Sequence, residues 1–156
     1  MKNIFILFAF LTIGLTGFSQ DYSNAIGLRG GSSNGITFKH FVSEKAAIEA
    51  ILTTRFGGYG LFGLYELHVP IKSVDRLNFY YGAGGHIGSY NGAKDNRWFK
   101  GTENHTVLGV DGILGIEYNF TEIPINLSID YKPAFNLIGH TGLWADEGAL
   151  SLRFIF

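Results

Sequence analysis

Reactive side chains are few in this sequence. It contains no cysteine, which removes disulfides, thiol catalysis and Cys-ligated zinc together. Two of its five histidines, His105 and His140, fall in polar connections with Glu103, Asp146 and Glu147. Imidazole beside carboxylates is the donor set of a loose metal site or an acid/base pair. The spacing fits no established signature, however, since HExxH, a P-loop and GxSxG are all missing. The run Tyr81-Gly82-Ala83-Gly84-Gly85-His86-Ile87-Gly88 opens like a dinucleotide loop. Its third glycine falls on Ile87, and no helix follows to present its N-terminus to a pyrophosphate. The sequence therefore assigns no catalytic residue, no metal and no cofactor.

A second chemistry lies in the longest connection, Asn91 to His105, which carries Lys94, Arg97, Trp98, Phe99 and Lys100. Aromatics flanked by bases stack on ligands and bind anions, so Arg97, Trp98, Phe99 and Lys100 are candidate surface-binding residues, together with Trp144 in the connection 138–145. The alternative is a loop that folds its aromatics onto the rim of the structure beneath.

Composition limits what can position these groups. Charged residues make up 16% of the 156, against about 25% in an ordinary soluble domain, and aromatics reach 15%. A well-solvated globular surface is hard to build from this, and disorder is excluded. A net charge of -1 without a basic block excludes the clustered Lys/Arg footprint of a nucleic-acid binder. The N-terminus accounts for part of the apolarity. Lys2, the apolar run Ile4 to Leu15 and the small residues around Gly17-Phe18-Ser19 form the pattern of a cleaved secretory signal over 1–19. A run this short does not cross a ~30 Å hydrocarbon core as a helix.

The remaining residues, 20–156, alternate with period two. From Ile125 to Lys132 every odd position is apolar and every even one polar, and Leu108 to Phe120 repeats the pattern with Ile113 as its one exception. The spacing predicts eight strands, at 24–30, 35–42, 46–56, 59–69, 77–90, 106–120, 124–137 and 147–156, separated by Gly, Pro, Asn and Asp breakers. The fourth is the least regular, because Phe62 and Leu64 fall on its polar face beside Glu66 and His68.

Alternation does not say which face is outside. A soluble ligand-binding barrel hides the apolar face, whereas an outer-membrane barrel turns it to lipid. Three features favour the second. The polar faces are poor in charge and rich in Gly, Ala, Ser and Asn; aromatics of the apolar register gather near strand ends; and the chain stops on an apolar-face phenylalanine. The fold class is thus an all-β, eight-stranded antiparallel up-and-down transmembrane barrel.

The signal segment, the eight alternating strands and the ending Leu150-Ser151-Leu152-Arg153-Phe154-Ile155-Phe156 resemble the small outer-membrane barrels of the OmpX and OmpA-barrel type, especially short forms from Bacteroidota. The resemblance implies a bacterial outer-membrane location, with membrane lipid, lipopolysaccharide and the barrel-assembly machinery as partners and a further envelope protein as an additional one. It also implies that Phe154 and Phe156 carry the assembly signal. No peptidoglycan-binding domain is expected, and the role implied is structural or surface-binding. Lipid A-modifying enzymes share this barrel size; the His-x-Ser-Asn signature of the deacylases is missing, since Phe41-Val42-Ser43 follows His40 and Thr141-Gly142 follows His140.

With faces assigned, Arg29, Lys39, Arg55, Lys132 and Arg153 point into the lumen against Glu49, Glu66, Asp111, Glu117 and Asp130, five cations to five carboxylates. Equal numbers predict a paired network, because an unpaired charge there costs several kcal/mol. His68 and His86 also point inward, as do Phe41, Phe62, Leu64 and Tyr80. An eight-stranded barrel is just wide enough to be filled by such side chains, so no solute channel is expected. Gly82, Gly84 and Gly88 are expected to make room for Phe62 and Leu64.

Overall fold

The period-two segments pair in chain order and the last returns to the first. The computed structural model describes residues 22–91, 104–139 and 141–156, so the signal segment 1–19 lies outside the described residues. The strands are β1 (Asn24–Gly31), β2 (Asn34–Phe41), β3 (Ala46–Arg55), β4 (Gly58–Pro70), β5 (Leu77–Asn91), β6 (Asn104–Asn119), β7 (Ile125–Tyr131), β8 (Ala134–Ile138), β9 (Gly142–Trp144) and β10 (Gly148–Ile155). All pairings are antiparallel, and β1 against β10 closes the ring.

These ten segments make eight passes around the barrel. The seventh pass is β7 followed by β8, both paired to β6. It breaks at Lys132-Pro133, where proline has no N–H to give the ladder. Bonding continues through the break, since the Gly112 N–H donates to the Pro133 carbonyl at 2.9 Å and the Lys132 N–H to the Glu147 carbonyl at 2.8 Å. The eighth pass is β9 and β10. Sequence places 139–146 among the breakers, but Gly142, Leu143 and Trp144 pair with Asn136, Phe135 and Ala134 of β8. Pass three ends one residue earlier than its pattern predicts. Phe56 and Gly57 both take positive φ, 52° and 71°, and form the tight hairpin that suits strand twist.

The outward face is apolar on every pass, with Leu28, Ile36, Ile48, Leu61, Ile87, Leu108, Ile129 and Leu152 among its exposed members. The inward face holds the charges. The residues that break the alternation, Phe62, Leu64 and Ile113, meet Ile51 and Tyr80 in one buried apolar cluster inside the barrel. Exceptions on separate strands are thus one feature in three dimensions.

The inward glycines of β5 have a different cause from the one expected. A Cβ on Gly82 would strike the Tyr65 carbonyl oxygen, and one on Gly84 the Gly63 carbonyl oxygen, so these positions let the backbones of β4 and β5 approach closely. At Gly88 the obstacle is the Tyr90 ring, 2.7 Å from such a Cβ. The nearest obstacles at all three are backbone or the Tyr90 ring, not the Phe62 or Leu64 side chains.

Candidate functional site

The barrel interior is built from inward positions of all eight passes, and the tight curvature brings opposite walls within side-chain reach. Near the end where β1 begins and β10 finishes, Lys39 of β2 sits at the centre of three carboxylates. Its Nζ lies 2.8 Å from Glu66, 3.4 Å from Glu49 and 3.4 Å from Glu117. Arg153 of β10 completes the group, donating to Glu49 at 2.5 Å, to Ser128 at 2.7 Å and to Asn126 at 3.1 Å, while Thr37 also bonds Glu49. His68 bridges Glu66 and Glu117 at 3.2 and 3.1 Å. The Tyr22 hydroxyl donates to Glu117 at 3.2 Å, and burial, then the Glu117 charge, pushes this phenol well above its usual value.

Two further groups lie deeper. Arg29 and Asp130 form a two-pronged pair, joined by the Tyr80 hydroxyl at 3.1 Å. Towards the opposite end, Lys132 lies 3.2 Å from Glu147 and 3.8 Å from Asp111, with its ammonium 3.4 Å from the centre of the Phe62 ring. His86 links Asp111 at 2.9 Å to Asn136 at 2.8 Å. Ions stripped of water this thoroughly persist only when each is met by opposite charge and hydrogen bonds.

The sequence places ten charged residues in the lumen, and the described structure buries nine of them. Arg55 differs. It reaches the rim at the end opposite Asn24 and Phe156 and pairs with Asp146 at 2.8 Å, partly exposed. Glu147 takes a lumen position instead, 2% exposed and bonded to Ser33 at 2.8 Å as well as to Lys132. Parity would have found it, because Glu147 precedes inward Ala149, Ser151 and Arg153 by steps of two. Its place at the first position of the predicted strand 147–156, next to the breakers and to Gly148, grouped it with the loop residues instead. The loose cluster around His105 and His140 therefore separates: Asp146 goes to Arg55, Glu147 to Lys132, and His105 is half-buried within β6 opposite Tyr90. Glu103 and His140 lie outside the described residues, as do Arg97, Trp98, Phe99 and Lys100.

Trp144 corrects another expectation. It is 3% exposed, packed on Tyr90 at 5.4 Å between ring centres with Val107 and Ala134, and so closes one end of the barrel instead of offering a surface aromatic. The cause is β9, whose pairing to β8 turns the indole inward. Phe154 and Phe156 lie on the outer face, 6.1 Å apart between ring centres.

No family model matches the chain, and neither does any curated protein. Solved structures do. The N-terminal β-barrel domain of Pseudomonas aeruginosa OprF matches with a TM-score of 0.67 at 16% identity, over 88% of this chain and 98% of that one. Neisserial surface protein A (NspA) matches with a TM-score of 0.52 at 14% identity, over 85% and 93%. The fold is that of the OmpA/OmpX-type barrels. At these identities the likeness is one of architecture, and the closed ring is what holds β2, β3, β4 and β6 close enough for Lys39 to meet three carboxylates.

Proposed function

We propose that this protein is an integral barrel of the bacterial outer membrane with a structural or surface-binding role, its lumen filled by side chains and closed to solutes, and without catalysis. The carrying observation is the inversion of polarity: apolar side chains cover the outside on every pass, while six carboxylates and four Lys or Arg side chains are buried within. In water that arrangement would expose an apolar surface far beyond what a soluble monomer tolerates, whereas in lipid it is the stable one. His68 and His86 are both engaged with carboxylates in the interior, away from the outer surface where a lipid-modifying enzyme would work. The partners assigned are membrane lipid, lipopolysaccharide and the barrel-assembly machinery, with residues 97–100 reserved for an envelope partner. Cleavage after residue 19 would release the barrel, residues 20–156.

The test is cell fractionation combined with gel migration of boiled and unboiled samples. Recovery in the outer membrane, with a folded form that migrates differently before boiling, is expected. Recovery as a soluble periplasmic protein would overturn the reading.

A further inference from the structure

At the end of the barrel where β1 begins and β10 finishes lies a cavity of about 420 Å³. The turn between β2 and β3 brings the exposed Glu44 to it, the turn between β4 and β5 brings the exposed Asp75 and Arg76, and the buried Tyr22 and Glu117 line it together with Phe41. Glu117 is already engaged by Lys39 and by the Tyr22 hydroxyl. Among the described residues, however, neither the Glu44 nor the Asp75 carboxylate takes part in an ion pair or hydrogen bond. Two such carboxylates at one mouth call for a cation. Tyr22 points to its source, because its ring is fixed edge-on against Phe41 at 5.0 Å between centres and its hydroxyl is bound at 3.2 Å. Two residues span at most about 7 Å, so Gln20 is tethered at this cavity.

We propose that the α-ammonium of Gln20, made when the signal segment is removed, seats in this cavity between Glu44 and Asp75, so that processing completes this mouth of the barrel. The inference rests on the cleavage after residue 19 proposed above. That cut turns a peptide nitrogen into a free amine, and an α-amine with an ordinary value of about 7.7 to 8.0 is mostly charged at neutral pH. Charge complementarity extends to the next residue. The segment Gln20-Asp21 brings one cation and one carboxylate to a cavity that offers two carboxylates and the Arg76 guanidinium. An exposed ion pair is ordinarily worth little, because two mobile partners have to be ordered to form it. Here the tether at Tyr22 confines one partner beforehand, which lowers that cost. A chain that keeps residues 1–19 has an uncharged peptide nitrogen at Gln20 and lacks the contact.

The test uses the mature chain, residues 20–156, refolded in detergent micelles with Gln20 either free or first converted to its lactam by glutaminyl cyclase. In that conversion the α-nitrogen bonds to the side-chain carbonyl carbon and ammonia departs, so the positive charge is removed without lengthening the chain. Cyclisation should lower the unfolding temperature of the wild type by about 3 °C, and that of the double variant Glu44→Gln with Asp75→Asn by less than about 1 °C. Equal shifts in the two backgrounds overturn the proposal. The N-terminus of the folded wild type should also resist the cyclase about tenfold better than that of the folded double variant, and equal rates overturn it too. Mass spectrometry of the exported protein tests the cleavage separately. A start other than Gln20 overturns that premise, whereas a start at Gln20 with equal shifts overturns the docking alone.

Discussion

Arg29 and Asp130 face each other through two parallel hydrogen bonds of 2.7 and 2.6 Å, each side chain fully removed from solvent. They stand on passes one and seven, with β10 between them. Arg29→Ala leaves a buried carboxylate unpaired and should cost about 3 to 5 kcal/mol. Replacing both, as in Arg29→Met with Asp130→Leu, should recover most of the loss. Denaturant unfolding of the wild type and the two variants in micelles measures this; a double variant as weak as the single one would show that the pair is needed for more than mutual compensation.

Register on β7 gives a second prediction. Leu127 and Ile129 project outward, while Ser128 is buried and accepts a hydrogen bond from Arg153. Leu127→Arg and Ile129→Arg should each lose about 2 to 4 kcal/mol against lipid near the midplane. Ser128→Arg fails by another route, forcing a second guanidinium against the first. Ser128→Ala should be mild. Refolding yield into liposomes ranks the four, and good yields from the outward arginines would refute the apolar belt.

Phe156 contributes to the seam as well as to the outer face. Its N–H donates to the Asn24 carbonyl at 2.8 Å, and its carbonyl accepts from the Asn24 N–H at 2.9 Å. Deleting Phe156 should reduce folded protein in cells at least tenfold if the terminal aromatic is read by the assembly machinery, with Phe156→Tyr tolerated. Refolding of the deleted chain in detergent should suffer far less. Equal losses in both settings would assign Phe156 to stability alone.

Trp144 and residues 97–100 should separate cleanly. Trp144→Ala empties the packing on Tyr90 and Val107 and should cost about 3 to 5 kcal/mol of stability. A Gly/Ser replacement of Arg97 to Lys100 should leave the unfolding temperature unchanged and abolish co-purification of lipopolysaccharide or a protein partner. Loss of the folded form in the second variant would place those aromatics on the rim.

What the sequence revealed follows from the strength of each local signal. Alternation over Ile125–Tyr131 or Leu108–Asn119 fixes face and strand together, since a one-residue slip would invert every side chain. Inward charges follow from that parity, and so does their burial. What escaped depends on contacts between distant segments. The three residues of β9 are too short to show a period and form a strand only against Ala134, Phe135 and Asn136. The pairing of Glu147 with Lys132, and the choice of Asp146 by Arg55, are decided by the distance across the barrel. The close approach of β4 and β5 at Gly82 and Gly84 is likewise a property of curvature.

The seam between β1 and β10 has a kinetic meaning. Ala25 pairs with Ile155 and Leu28 with Leu152, so the first strand made at the ribosome waits for the last before its second edge is satisfied. Until then both margins of the sheet offer unpaired amides and an oily flank to any other chain, the condition under which sheets grow into aggregates. Closure of so long a loop is slow, and the ring cannot close before β10 has been made. A truncation anywhere in Gly148–Ile155 should therefore leave the sheet with two adhesive borders.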